Sequence, residues 1–298
     1  MPDYGHDLLF GTFVTPSAAP VHHAVDLAIA ADRAGLDLVT FQDHPYQPRF
    51  HDTWTLLSYV AAQTERVRLS GNVLNLPLRE PAVLARSAAS LDLLSGGRVE
   101  LGLGAGAFRD AIEAMGGRRL SPAQGVAALE EAIDIIRQVW ATGERGGVHA
   151  GGTYYRVTGA KRGPAPAHDI GIWLGAYKPR MLALTGRAAD GWLPTLSYLP
   201  GGPGDLTELN TRIDDAASAA GREPSDVRRL LNVGGQFTAI GRSLLNGPAD
   251  QWAEDLAGLT LEYGISGFIL ATDEQGTIER FAAEVAPATR ELVAAERR

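Results

Sequence analysis

The sequence of 298 residues contains no cysteine, and this absence excludes several kinds of site at once. Disulfides, thiolate nucleophiles and thiolate metal ligands all require that residue. A chain without cysteine is typical of a reducing compartment, so we expect a cytoplasmic protein.

Positive charge and long apolar runs are also scarce. Lys and Arg number 27 against 35 Asp and Glu, which gives a net charge of −8. A nucleic-acid-binding surface needs a clustered basic face, so no nucleic-acid partner is expected. No apolar run approaches the roughly 18 residues that a membrane-spanning helix requires. The start, MPDYGHDLLFGTFV, lacks the basic region of a signal peptide. We therefore expect neither a membrane segment nor a signal peptide.

Short apolar runs alternate regularly with longer amphipathic segments. This alternation indicates βα units and a parallel sheet, and most of the runs are apolar throughout, as strands covered on both faces should be. The eight predicted strands are LLFGTFV (8–14), LDLVTF (36–41), RVRLSGNVL (66–74), RVELGLG (98–104), IGIWLG (170–175), GWLPTL (191–196), LLNVGGQFTAI (230–240) and SGFILAT (266–272). The predicted helices are 22–35, a segment from Pro81 to Gly96, 125–141, 178–189, 206–220, 249–263 and 275–296.

This strand and helix order predicts an α/β fold, a (β/α)8 TIM barrel that residues 1–298 form as a single domain. Residues 142–169 are irregular in pattern and are predicted to form a hairpin inserted between strands four and five. A doubly wound sheet is the alternative fold. It is disfavoured because no G-x-G-x-x-G joins the first strand to its helix.

Loops at the carboxyl ends of barrel strands build the active site in this fold, so the residues after each strand are the candidates. The second strand ends at Asp43-His44, where a histidine can exchange a proton with a bound ring and Asp43 can set its tautomer and charge. A histidine that caps the loop is the structural alternative. The third strand reaches Gly71-Asn72-Val73, whose permissive backbone suggests a bulge, either functional or ordinary.

The fourth and fifth strands end in small residues. Small residues let the backbone approach a ligand, and successive amides can bind an anion. Lys178 also lies at the start of a predicted helix, a position suited to a phosphate, although a solvated surface cation would look the same in sequence. The candidates at these two ends are Gly104, Ala105, Gly106 and Ala107, and Gly175, Ala176, Tyr177 and Lys178.

A metal site is not expected. His44 and His51, with Asp43 and Asp52, could be drawn as ligands. Histidines seven residues apart across two prolines match no common ligand spacing.

Two long blocks carry a family resemblance. The first runs from DLVTFQDHPYQPRF to GGRVELGLGAGAF, and the second is WLGAYKPRMLALTGRAADGW. The chain resembles the bacterial luciferase-like superfamily of flavin- and coenzyme F420-dependent oxidoreductases. The resemblance implies a flavin or deazaflavin ring at the carboxyl mouth of the barrel. It also implies a non-prolyl cis peptide at Asn72-Val73, or one bond earlier, that supports the ring.

The resemblance further assigns roles to the candidate residues. It places Asp43 and His44 beside the ring, and it implies that 104–107 and 175–178 hold the polar tail and phosphate of the cofactor. In sugar-phosphate dehydrogenases of the family a glutamate follows the glycines of the fourth strand, where this chain has Ala107. We therefore do not expect that particular activity.

The sequence thus predicts an oxidoreductase, forming a homodimer, that moves a hydride between coenzyme F420 and a small organic substrate. His44 and Asp43 are the predicted catalytic residues. The alternative is an FMN-dependent monooxygenase that uses oxygen and receives reduced flavin from a partner reductase. A non-catalytic flavin-binding barrel and a cofactor-free phosphate-binding isomerase or hydrolase also remain open. The last of these needs a second acid or base near His44.

Overall fold

Parallel strands close into a barrel in the computed structural model, which describes residues 3–298. The first strand pairs with the second and with the last, and the third pairs with the fourth, so no edge of the sheet remains open. The strands are Leu9–Val14, Leu38–Phe41, Arg68–Gly71, Val99–Gly104, Ile172–Leu174, Gly191–Trp192, Arg228–Val233 and Gly267–Ala271. The predicted (β/α)8 barrel is therefore confirmed.

The apolar character of the strands follows from their position between two layers of side chains. Every residue of the second strand and of the fourth strand is buried. Side chains that point inwards fill the barrel, and those that point outwards pack against the helices, so neither face can be polar. This arrangement explains why the strands read as continuous apolar runs.

Ten α-helices surround the barrel in the described part of the chain. They are α1 (His23–Ala34), α2 (Thr53–Gln63), α3 (Pro81–Ser95), α4 (Arg109–Ala114), α5 (Pro122–Trp140), α6 (Pro179–Ala188), α7 (Asp205–Ala219), α8 (Ala249–Tyr263), α9 (Gln275–Arg280) and α10 (Ala286–Glu296). A π-helical turn, Phe281–Val285, joins the last two, and 3-10 turns lie at Leu76–Leu78, Leu196–Tyr198, Gly202–Gly204 and Pro224–Asp226. No described helix has both the length and the apolar character to cross a membrane.

Helix α2 is the main element that the sequence pattern does not predict. Its residues TWTLLSYVAAQ include Thr, Trp, Tyr and Val, which favour strands over helices. The helix is set instead by its start, where the Asp52 carboxylate accepts the Thr55 N–H at 2.9 Å. An aspartate in this position satisfies one of the free amide groups of the first turn.

Three of the predicted strands are longer than the corresponding strands of the structure. The third is broken after Gly71 and resumes as Leu74–Asn75, so residues 72–73 lie outside the ladder. The sixth covers Gly191–Trp192 rather than 191–196, and Pro194 lacks the N–H that a ladder needs. The seventh ends at Val233 rather than at residue 240, since two glycines follow it.

The insertion between the fourth and fifth strands is a hairpin, as predicted. Strands Val148–Gly151 and Arg156–Ala160 pair antiparallel. The carboxylate of Glu131, on α5, accepts the N–H groups of Thr153, Tyr154 and Tyr155 at 2.8 to 3.0 Å. One acid of α5 therefore fixes the turn of the hairpin to that helix.

Ion pairs occupy the amino end of the barrel, opposite the candidate site. Arg290 Nη2 lies 2.6 Å from Asp37 Oδ2, and Arg68 pairs with the buried Glu100. Residues at this end of such barrels serve stability, so the search for chemistry turns to the other end.

Candidate active site

The Asp43 carboxylate is buried at the end of the second strand and is fully bonded. Arg79 donates to both of its oxygens, Nε to Oδ2 and Nη2 to Oδ1, each at 2.8 Å. The Asn75 N–H also donates to Oδ2 at 2.8 Å. A two-point guanidinium–carboxylate pair is a strong and directional contact. Asp43 therefore joins the ends of the second and third strands and has no free oxygen for proton transfer.

Arg79 also reaches the start of α2. Its Nη2 donates to Asp52 Oδ2 at 3.0 Å. Burial alone would raise the pKa of Asp52, but the Thr55 N–H and the Arg79 guanidinium outweigh it and hold that pKa below its usual value. One arginine thus connects two ionised carboxylates in the loop that carries His44.

His44 is half-buried. Its carbonyl oxygen accepts the Gln47 N–H at 2.8 Å, whereas its ring makes no hydrogen bond within residues 3–298. Its ring stacks on Tyr46, with centroids 5.4 Å apart, and Phe108 approaches edge-on at 5.2 Å. Burial lowers the pKa of His44, and the charge of Asp43 opposes this only in part. His44 is therefore neutral at pH 7. Asp43 influences it through charge, and not through the hydrogen bond that would fix a tautomer.

The third strand contributes Asn72 and Val73, and the peptide bond between them is cis, as the resemblance implied. The Asn72 side chain donates to Asn232 Oδ1 at 2.7 Å and to Thr40 Oγ1 at 3.3 Å. Asn232, on the seventh strand, also donates to Thr195 Oγ1 at 3.3 Å. These contacts tie Asn72 to the second and seventh strands and, through Asn232, to the loop after the sixth strand.

Val73 packs between the ends of the fourth and fifth strands. A Cβ placed on Gly104 would lie 2.6 Å from Val73 Cγ2, and one on Gly175 would lie 3.5 Å from both Val73 methyl groups. The first distance is shorter than real Cβ contacts, so a side chain at position 104 would force Val73 to shift. Three of the predicted segments therefore meet at one place.

The remainder of the fourth-strand loop is small and open. Ala105 and Gly106 are partly buried and Ala107 is exposed. Gly106 has a φ of +82°, and a Cβ there would lie 2.7 Å from Ile112 Cδ1 and from Pro77 Cγ. The loop then turns into α4 at Arg109.

The fifth-strand loop, Gly175 to Lys178, leads directly into α6. The Ala176 carbonyl accepts the indole N–H of Trp192, and the Tyr177 hydroxyl accepts the Thr195 N–H, both at 2.8 Å. Burial raises the pKa of Tyr177, so its hydroxyl stays protonated. Lys178 is exposed immediately before the first turn of α6.

Two polar atoms at this mouth lack partners. The Tyr46 hydroxyl and Asn75 Oδ1 are buried and make no hydrogen bond among the described residues. Burial raises the pKa of Tyr46, and the neighbouring Asn75 side chain opposes this rise, so the two polar groups face each other.

Sequence reasoning missed Arg79, Asn75 and Asn232. Asn232 is the one of these with a readable signal, because it is a single polar residue within the apolar run LLNV. Arg79 precedes a helix and looks like an ordinary surface cation.

The residues considered for a metal have other roles. His51 Nε2 lies 3.0 Å from the Val21 carbonyl oxygen, and Asp43 and Asp52 both pair with Arg79. Within residues 3–298, no group of three His, Asp or Glu side chains could hold a metal ion.

Residues 4–237 match the sequence family described as luciferase-like monooxygenase, and the chain belongs to this family. An F420-dependent glucose-6-phosphate dehydrogenase of Microbacterium testaceum (strain StLB037) is 32% identical, over 96% of this chain and 90% of that protein. An enzyme of the same name from Nocardia farcinica (strain IFM 10152) is also 32% identical, but the match covers 70% of this chain and 63% of the relative. The predicted family is confirmed.

Solved structures of low sequence identity share the fold. An F420-dependent secondary alcohol dehydrogenase, in complex with an F420–acetone adduct, superposes with a TM-score of 0.82 at 18% identity, over 95% of this chain and 99% of that one. A coenzyme F420-dependent tetrahydromethanopterin reductase from Methanopyrus kandleri gives 0.77 at 20% identity, with coverage of 95% and 99%. At such identities the likeness supports the barrel architecture alone.

Proposed function

We propose that this protein is an F420-dependent oxidoreductase that oxidises a small alcohol, or reduces the matching carbonyl compound, at the carboxyl mouth of the barrel. The observation that carries the proposal is the position of His44 at the mouth, with a ring that packs on Tyr46 and Phe108 and nitrogens that make no hydrogen bond within residues 3–298. Burial also lowers the pKa of His44, which favours the neutral imidazole. A neutral imidazole is the form that accepts a proton from an alcohol.

Coenzyme F420 is favoured over FMN because relatives that share 32% identity are named as F420-dependent enzymes. The residues present fit a ring with a polar edge. The Tyr46 hydroxyl and Asn75 Oδ1 are unbonded, and glycines at 104 and 175 keep the space beside Val73 free of other side chains. Asn72, Val73 and His44 would contact the ring. The segments 104–107 and 175–178 would hold the tail, with Lys178 beside its phosphate.

When bound, coenzyme F420 supplies the carbon that exchanges a hydride with the substrate. His44 accepts the proton of the substrate hydroxyl in the direction of oxidation and returns it in the direction of reduction. The nearby charge of Asp43 stabilises the imidazolium that forms. Asp43 is held by Arg79 and makes no hydrogen bond to His44 in the described residues, so we assign it an effect on the charge of His44 and not the tautomer-setting role expected from sequence.

The proposal is tested by anaerobic titration of the purified protein with coenzyme F420 and, separately, with FMN, followed by fluorescence. We expect micromolar binding of F420 and much weaker binding of FMN. His44→Ala should retain F420 and lose turnover, whereas Lys178→Ala should weaken F420 binding.

Other results of the titration would support a different function. Preference for FMN would support the monooxygenase alternative and a partner flavin reductase. F420 binding without reduction by any alcohol would support a non-catalytic binding barrel. If neither cofactor bound, the proposal would fail.

We also propose that the chain forms a homodimer through α2 and α3. Four large apolar side chains on these helices are exposed, namely Tyr59, Val83, Leu93 and Leu94, with Leu94 at 87%. Apolar patches of this kind often mark protein interfaces. Light scattering should give twice the mass of the chain, and Leu94→Glu should give the monomer. The single-domain organisation and the cytoplasmic location stay predictions.

A further inference from the structure

Three aromatic rings from two loops meet at one side of the barrel mouth. Tyr46 stacks on His44 with an angle of 20° between the planes, and Phe108 meets His44 at 69°. Tyr46 and Phe108 also contact each other, with centroids 5.8 Å apart. These residues, His44, Tyr46 and Phe108, form one surface that we call the aromatic corner.

Phe108 is the exposed member of this corner. Its side chain sits between the fourth-strand loop and α4 and remains 55% exposed, although two rings pack against it. A phenyl ring that is held on one side and open on the other is suited to stacking against a planar ligand. Its place beside His44 puts it at the barrel mouth and outside the core.

The ionic groups bonded at this corner leave one negative charge in excess, because one arginine meets two carboxylates. Arg79 is shared between Asp43 and Asp52, and position 107 is an alanine without charge. The polar atoms left for a ligand are the His44 nitrogens and the Tyr46 hydroxyl, which make no hydrogen bonds in the described part of the chain. A phosphate or carboxylate on a substrate would meet this excess negative charge beside His44.

We propose that the substrate is an uncharged alcohol that carries a planar ring, which packs on Phe108 and Tyr46 while the hydroxyl faces His44. This inference rests on the proposed function and names the substrate class of the same site. The alcohol carbon loses a hydride to oxidised F420, and the hydroxyl proton passes to His44. The products are the ketone, reduced F420 and an imidazolium that returns the proton to water.

The experiment compares 1-phenylethanol with 2-propanol, which differ by a phenyl ring in place of a methyl group, and with glucose 6-phosphate. We expect kcat/KM to be highest for 1-phenylethanol. Phe108→Ala should lower the ratio of 1-phenylethanol to 2-propanol by roughly tenfold, mainly through KM, since aromatic contacts have this magnitude. Met115→Ala is the matched control, because Met115 is 52% exposed at the end of α4 and lies outside the corner.

A second readout does not depend on turnover. Calorimetry with the F420-loaded protein should show that acetophenone binds more tightly than acetone, and Phe108→Ala should remove this difference while the F420 dissociation constant stays unchanged. F420 binding with no preference for the phenyl compounds would overturn the substrate proposal alone, and so would preference for glucose 6-phosphate. Absence of F420 binding would overturn the proposed function and this inference with it.

Discussion

Arg79 binds both carboxylate oxygens of Asp43, and the Asp43 side chain has no exposed surface. The two residues lie 36 positions apart and connect the ends of neighbouring strands. Arg79 thus compensates the buried charge of Asp43 beside His44. The pair gives the loop after the second strand a fixed shape.

Removing Arg79 should therefore destabilise the protein strongly. Arg79→Ala leaves a buried carboxylate without its cation, which costs about 3–5 kcal/mol in comparable pairs. The free energy of unfolding in urea measures this cost. Arg79→Lys keeps one charge but not the two-point contact, and it should show a smaller loss. Arg119→Ala, which removes an exposed arginine paired with Asp110 and Glu113, is the control and should leave the unfolding midpoint unchanged. Equal effects of Arg79→Ala and Arg119→Ala would contradict the structural role of the Asp43–Arg79 pair.

Alcohol oxidation should become faster as the pH rises. Burial lowers the pKa of His44 below its usual value of 6.5, and the proton-accepting form is the neutral one. The kcat/KM should therefore rise through an apparent pKa below 6.5 and stay level above it. The kcat/KM for ketone reduction should instead fall as the pH rises through this pKa, because reduction needs protonated His44.

Asp43→Asn provides the check on this profile. Asp43 raises the pKa of His44, so its neutralisation should move the limb to lower pH. Titration of the His44 ring by NMR in the cofactor-free protein measures the same shift without turnover. A limb above pH 6.5, or one that Asp43→Asn leaves in place, would rule out His44 as the proton acceptor.

The barrel itself could be read from the sequence, and the reason is physical. Strands buried on both faces must be apolar, so all eight strands appear as apolar runs in chain order. The four loops that carry the candidate residues follow directly, since the ends of parallel strands share one face of the barrel. Asn72 and Val73 could also be predicted as site residues, because Gly71-Asn72 interrupts an apolar run.

The ion pairs and side-chain contacts within the site could not be predicted from the sequence in the same way. The partner of Asp43 is set by the path of the chain from the third strand to α3, and nothing in the letters LREP shows that path. The same holds for Phe108, which packs on His44 only because the fourth-strand loop bends at Gly106. Helix α2 was missed because tertiary packing overrides the strand preference of its residues.

Asn232 should matter for both stability and cofactor binding. It accepts from Asn72 at 2.7 Å and donates to the Pro194 carbonyl oxygen at 3.1 Å, so Asn232→Ala leaves buried polar groups unpaired. A loss of about 1–3 kcal/mol in the free energy of unfolding is expected. The F420 dissociation constant should also increase, because Asn72 loses its anchor. Asn246→Ala, in a loop outside the barrel, should change neither quantity. If Asn232→Ala bound F420 as tightly as the parent, Asn72 would not need this anchor.

The contact between Gly104 and Val73 yields a prediction that can be tested by compensation. Gly104→Ala places a methyl group 2.6 Å from Val73 Cγ2, so Val73 must move. Overpacking of this kind costs about 1–3 kcal/mol of stability. We expect a matching loss of F420 affinity, because Val73 lies where the ring is proposed to bind. Gly175→Ala, whose methyl would lie 3.5 Å from Val73, is the control for stability and should cost little.

The double variant Gly104→Ala with Val73→Ala distinguishes two causes of such a loss, a clash with Val73 and a requirement for glycine in the backbone at position 104. If the clash with Val73 is the cause, the smaller side chain relieves it, and the double variant should be more stable than the sum of the single effects predicts. Urea unfolding of all four proteins measures this coupling, and F420 titration of the same set reports on the site. Additive effects would show that Gly104 is required for its backbone alone, and Val73 would then have no part in shaping the cofactor surface.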